Sequence, residues 1–295
     1  MAKPCNFDGF TKNGPRVSVL MPVYKTKSTH LKEAIQSILN QTFEDFEFLI
    51  LDDCPSDDRE AIVKSFKDHR IQYLKNDKNS GITFSRNKLI DLAKGEYLAV
   101  MDHDDVSLPE RFEEQIKVLD AHPEIGVVGC WVERFPNVKV AKYPQNNKDI
   151  EQYLMQGCAI AHTAAMIRKS VLTNNNIRYE AEFSPSEDYR LWCILIGKTQ
   201  FHNIQKILMK YRIHDSNTTK TQSDKMSAAT KAIHEFVRTE HPDIWKAVCQ
   251  STSHLIRMKL FGIIPFGRFK QIGNNRKGIL KYLPFITIKA KQEVK

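Results

Sequence analysis

The sequence predicts an α/β fold: a mostly parallel sheet flanked by helices on both faces, with a helical, basic C-terminal extension. Three observations lead there. In the first half, short β-rich apolar runs alternate with segments of helical period and short connections, the signature of repeated strand–helix units. Acidic or polar clusters stand directly after three of the predicted strands, where parallel sheets collect ligands. The excess positive charge is confined to the end of the chain.

In chain order, Val17–Met21 reads as a strand, Leu31–Leu39 as a helix and Phe46–Leu51 as a strand. A helical pattern near Glu60–Phe66 precedes the strand Ile71–Leu74, and a helix near Phe84–Ala93 precedes the strand Tyr97–Met101. Pro109 suits the first turn of the next helix. Ile125–Val132 reads as a further strand, after which the alternation weakens. Residues 136–156 look polar and loop-rich, 158–172 turn apolar again, Tyr189–Ile196 is helical, Ile207–Ile213 is β-like, and the pattern from Ser223 onward is mostly helical.

Of 295 residues, 41% are hydrophobic and 27% charged, which excludes low-complexity and wholly disordered chains. Residues 253–295 hold ten basic side chains against Glu293 alone, so this segment accounts for the whole net charge of +9. Its cations are interleaved with Leu255, Ile256, Leu260, Phe261, Ile263, Ile264, Phe266 and Phe269. That mixture suits an anionic membrane surface better than a nucleic-acid groove, the alternative being an ordinary solvated helix pair. No nucleic-acid reading module is recognisable. The six cysteines include no C-x-x-C pair and read as reduced core residues rather than a disulfide frame or zinc site. The first 16 residues lack an apolar signal core, and no stretch approaches the ~18 apolar residues of a spanning helix.

The strand ends carry the chemistry. Pro22, Val23 and Tyr24 follow the first strand, Asp52 and Asp53 the second, and Asp102-His103-Asp104-Asp105 the fourth. Capping of the following helices explains one carboxylate at each place, not two or three. An Asp-x-Asp pair offers hard oxygen ligands to Mg²⁺ or Mn²⁺, which bridge readily to substrate phosphates. Glu187 and Asp188 stand before a helix, where acidic residues also suit the helix dipole.

With Val19–Tyr24, Ser37–Thr42, Phe48–Asp53, Asn79–Asn87, Gly95–Asp105 and Ser186–Trp192 in this order and spacing, residues 17 to about 214 resemble the inverting family 2 glycosyltransferases of GT-A fold. The likeness is to bacterial enzymes that build lipopolysaccharide, O-antigen and capsule chains. The resemblance implies a metal-dependent enzyme that moves a hexose (glucose, galactose or N-acetylhexosamine) from a UDP-sugar to a hydroxyl of a glycan acceptor, expected to be lipid-linked. Pro22, Val23 and Tyr24 would line the uridine pocket, with Asp52 or, preferably, Asp53 accepting from the uracil N–H. Arg86 would place a cation beside the base or diphosphate, with Asn87 next to it. Asp102 would approach the ribose or a metal-bound water, and Asp104 would ligate Mn²⁺ or Mg²⁺. His214 is a candidate second ligand, and His162 would lie near the acceptor. Asp188 would be the general base and Glu187 would position the acceptor.

The implied organisation is an N-terminal extension over 1–16 and a GT-A domain over 17–222, divided into a nucleotide-binding half (17–135) and an acceptor-binding half (136–222). A helical region over 223–295 follows, with the membrane-associating segment 253–295. The expected location is cytoplasmic, on the inner face of the cytoplasmic membrane. Two departures stand out. Cys54-Pro55-Ser56 replaces the usual Gly-Ser after the paired aspartates, and Asp105 extends the acidic triplet, either sharing the metal or capping the next helix. Two rivals remain from the sequence: a sugar-nucleotide nucleotidyltransferase, disfavoured because Met21–Lys25 offers no glycine for a triphosphate loop, and a non-catalytic protein that binds UDP-sugars.

Overall fold

The computed structural model describes residues 14–54 and 59–250, with the side chains of residues 219 and 220 left aside. The basic segment 253–295 and most of the N-terminal extension lie outside the described residues. The chain divides between Trp245 and Lys246, and everything below belongs to the first unit.

Strand β1 (Val17–Val23) is buried along its whole length. Helix α1 (Ser28–Leu39) follows and sinks Leu31, Ala34, Ile35 and Ile38 into the core, the i, i+3, i+4, i+7 stripe of an amphipathic helix. Strand β2 (Phe46–Asp52), helix α2 (Glu60–Lys64), strand β3 (Ile71–Lys75), helix α3 (Ile82–Leu92) and strand β4 (Tyr97–Val100) complete the alternating half. The short strand β5 (Val106–Ser107) leads into α4 (Arg111–Ala121), and the long strand β6 (Ile125–Phe135) pairs with β7 (Lys139–Ala141). Helix α5 (Asn147–Leu154), strand β8 (Met166–Arg168) and helix α6 (Lys169–Asn174) come next. They are followed by α7 (Glu187–Leu195), β9 (Gln200–Arg212), α8 (Thr218–Thr221) and α9 (Ser223–Glu240).

The sheet order is β3-β2-β1-β4-β8-β6-β9-β5, with β7 on β6. β1 to β4 are mutually parallel, β8 runs antiparallel between β4 and β6, and β9 returns parallel to β6. The expected mostly parallel α/β sheet is therefore present, with antiparallel insertions in its second half. Residues 136–156 depart from the loop expected there, since they contain β7 and α5. Each is short, and α5 buries only Ile150 and Leu154, too few apolar positions to announce a period.

Register decides what the sheet presents. Val23 pairs with Asp52, and Leu20 with Val100, so the residues after β1, β2 and β4 emerge at one edge. Two glycines make this possible. Gly81, before α3, has φ +88, a conformation that side chains resist. At Gly95 an added Cβ would lie 2.5 Å from the Ser18 nitrogen, so the turn into β4 can lie against β1 only without a side chain.

Candidate active site

The two aspartates after β2 fold the loop around themselves. Asp52 is fully buried. Its Oδ1 accepts from the Cys54 N–H at 2.9 Å and its Oδ2 from the Tyr73 hydroxyl at 2.8 Å, which assigns it to the scaffold rather than to a ligand. Asp53 accepts from Asn76 Nδ2, the Ser80 N–H and the Gly81 N–H, each at 2.8 Å, and so pins the 76–81 loop that starts α3. Val23 also proves different from a pocket-lining side chain. It is packed in the core, and its carbonyl accepts the Asp53 N–H at 2.9 Å. Pro22 is buried beside it, whereas Tyr24 is exposed, with Lys25 Nζ 5.3 Å from its ring centroid.

The acidic turn after β4 divides its carboxylates among three partners. Asp104 Oδ2 lies 2.7 Å from His214 Nε2 at the end of β9, joining residues far apart in sequence. Asp105 is fully buried and its Oδ1 accepts from the Arg212 N–H at 2.8 Å. It therefore ties the turn to β9 through Oδ1. Burial, reinforced by Asp104 and Asp102, drives its carboxyl well above the ordinary range. The Asp102 N–H donates to Thr163 Oγ1 at 3.1 Å. Burial also raises the Asp102 carboxyl, with Arg86 opposing and Asp104 adding to the rise.

Beneath this turn lies Arg111, fully buried, its guanidinium donating to the carbonyls of Val100 and Ala165 at 2.8 and 3.1 Å. It clamps β4 and the segment before β8, the two backbones that hold Asp102 and Thr163. Burial lowers it to about 10, so it stays charged at neutral pH. Nothing in the sequence separates Arg111 from the exposed arginines. Its place on α4 in the buried stripe with Phe112 and Gln115 is the one sign.

Facing the turn is the start of α7. Glu187 and Asp188 occupy its first turn, where the helix dipole favours carboxylates. Arg86 on α3 reaches across, with Nη1 2.5 Å from Glu187 Oε1 and Nη2 3.4 Å from Asp102 Oδ1. Its guanidinium lies 5.5 Å from the Tyr179 ring centroid. Burial works against its charge, but Asp102, Glu187, Tyr179 and Asp188 hold its pKa above the ordinary value. Glu187, foreseen as an acceptor contact, is instead buried and bonded to Arg86. The Asn87 side-chain amide donates to the Tyr179 carbonyl and accepts from the Tyr179 N–H, at 2.9 Å each, a structural tie.

Asp188 is partly open and accepts the Tyr189 N–H at 2.7 Å. Burial, then Glu187, push its carboxyl up to about 6, with Arg86 opposing. His162 is buried, 2.8 Å from the Tyr179 hydroxyl, and desolvation drives its imidazole well below the ordinary value. It therefore packs behind the site as a neutral ring.

Asp104 and His214 supply one hard oxygen donor and one imidazole, a set compatible with a divalent cation whose remaining positions are filled by water and phosphate oxygens. Among the described residues no cluster of three or more such ligands occurs.

The architecture is that of the GT-A α/β fold. TarS of S. aureus, solved in complex with UDP-GlcNAc, superposes with a TM-score of 0.64 at 18% identity over 74% of this chain and 65% of that one. A mannosyltransferase of Pyrobaculum calidifontis, in complex with GDP-Man and Mn²⁺, gives 0.54 at 14% identity over 82% and 76%. The chain belongs to glycosyl transferase family 2, whose model matches residues 18–174. An uncharacterized glycosyltransferase of Methanocaldococcus jannaschii is 35% identical over 68% of this chain and 71% of that protein. In Escherichia coli, the O-antigen biosynthesis glycosyltransferase WbnJ is 30% identical over 75% and 89%. WfgD, a UDP-Glc:alpha-D-GlcNAc-diphosphoundecaprenol beta-1,3-glucosyltransferase of the same organism, is 26% identical over 75% and 86%.

Proposed function

We propose that this family 2 glycosyltransferase transfers a hexose from a UDP-sugar to a hydroxyl of a lipid-linked glycan acceptor, with inversion, in the synthesis of a bacterial surface polysaccharide. The observation that carries the reading is that Arg86 bridges Glu187, beside Asp188, to Asp102 of the acidic turn, with burial raising the Asp188 carboxyl to about 6. A base with that pKa is ionised at neutral pH yet basic enough to take a proton in the transition state. As the acceptor oxygen bonds to the anomeric carbon, the bond from that carbon to the diphosphate breaks, UDP departs and the hydroxyl proton passes to Asp188. Arg86 offers its guanidinium to the departing diphosphate. Tyr24 would stand at the uridine end, with Asp53 shaping the 76–81 loop beside it.

Asp104 and His214 are the residues that would hold Mn²⁺ or Mg²⁺, which would supply positive charge to the leaving diphosphate. The donor and acceptor classes are drawn from the TarS complex with UDP-GlcNAc and from the substrates named for WfgD. No helix among the described residues is long and apolar enough to cross a membrane. A peripheral hold on the cytoplasmic face through residues 253–295 would bring the enzyme to a lipid-linked acceptor.

Calorimetric titration with UDP-sugars and GDP-mannose, with Mn²⁺ present or removed by EDTA, tests the donor reading. Uridine-selective binding strengthened by Mn²⁺ is expected, and preference for GDP-mannose would overturn it.

A further inference from the structure

Glu187 engages the guanidinium that the catalytic reading assigns to the diphosphate. The carboxylate lies on the acceptor side, at the head of α7, whereas the guanidinium comes from α3 on the nucleotide side, and the two meet at 2.5 Å between side chains 5% and 12% exposed. The same guanidinium reaches Asp102 more weakly, at 3.4 Å. Both partners are under-satisfied. Glu187 Oε2 and Arg86 Nε are buried with no hydrogen-bond partner among the described residues, a costly arrangement for charged groups. A diphosphate offers Arg86 more acceptor oxygens, in bidentate geometry, than the single Glu187 oxygen it now engages.

We propose that Glu187 is a positioning residue that acts through Arg86. It holds the guanidinium toward α7, and the diphosphate of a nucleotide sugar must compete with it for that guanidinium. This deepens the donor reading above and rests on it. Donor affinity is then set by a contest between one carboxylate and the diphosphate. Donor binding frees Glu187 beside Asp188, so the acceptor side registers that the donor has arrived. The coupling is reciprocal: whatever strengthens the Glu187–Arg86 pair weakens the donor, and the reverse.

Calorimetry with UDP alone, on the full-length chain, tests this without an acceptor. Glu187→Gln keeps the shape of the side chain but weakens its grip on Arg86, and should bind UDP about tenfold more tightly. Uridine, which lacks the diphosphate, should bind both proteins equally by ligand-observed NMR. In an Arg86→Met background the gain from Glu187→Gln should vanish, which separates action through Arg86 from a general change in the fold. Melting curves check folding, and Glu187→Asp, too short to keep the contact, should show a smaller gain of the same sign if the Gln variant does not fold. Equal or weaker UDP binding in Glu187→Gln, or a gain that survives Arg86→Met, would overturn the tether while leaving the donor reading intact. Failure of the wild-type chain to bind UDP would overturn both.

Discussion

Asp188 should destabilise the protein it serves, by an amount that depends on pH. Its carboxyl rises from an ordinary 3.8 to about 6, chiefly through burial. Between those values the native state keeps a proton that the unfolded chain releases, so the contribution to stability is fully present below 3.8 and lost as pH rises through 6. At full ionisation that rise of the carboxyl corresponds to about 3 kcal/mol. The amide of an Asp188→Asn variant cannot ionise and escapes that cost. From the same two values, the variant's advantage should be about 1–2 kcal/mol at about pH 5 and about 3 kcal/mol at about pH 8. Urea unfolding of both proteins at the two pH values reads the difference, which should widen by about 1 kcal/mol between about pH 5 and about pH 8. In parallel, wild-type kcat/KM should fall about tenfold per unit below about pH 6, and the variant should lose transfer altogether. A stability gap that stays constant with pH would refute the reasoning, because it would mean that Asp188 carries no shifted proton.

Other outcomes follow from the same geometry. Asp104→Ala and His214→Ala should each lower Mn²⁺-supported turnover by about a hundredfold, and titration calorimetry should show weakened Mn²⁺ binding in the presence of UDP; undiminished affinity in both would remove them as ligands. Gly95→Ala places a methyl 2.5 Å from the Ser18 nitrogen and should cost about 1–3 kcal/mol in urea unfolding, whereas an unchanged midpoint would show that the turn yields freely. Removal of residues 253–295 should lower sedimentation with anionic liposomes and leave UDP binding intact, and equal partitioning would argue against a membrane role for that segment.

The first half of the fold was legible because its strands are largely buried and its helices amphipathic, so both periods show in the residue types. β7, α5 and the three-residue β8 were not, since short elements that bury one or two side chains leave no period. Motif order located the rim of the site but not the duty of each side chain. Asp52 and Asp53 are neighbours in sequence, yet only the folded loop shows that Asp52 is spent on Tyr73 and Cys54. Glu187 and Arg86 stand 101 positions apart, and nothing local to either announces their pairing. Arg111 was silent for the same reason, because a buried cation is recognised by its surroundings rather than by its type. Val23 shows the converse error: a residue inside a motif whose side chain belongs to the core.

The central claim is that Asp188 takes the acceptor proton while a UDP-sugar is consumed. The most direct measurement is UDP release by the purified wild-type and Asp188→Asn proteins, with Mn²⁺, a panel of UDP-sugars and a lipid-linked acceptor extract. Acceptor-dependent, EDTA-sensitive release from one UDP-sugar by the wild type, and its loss in a variant that still binds UDP, is the result predicted. Full release by Asp188→Asn, or none by the wild type with any UDP-sugar, would contradict it.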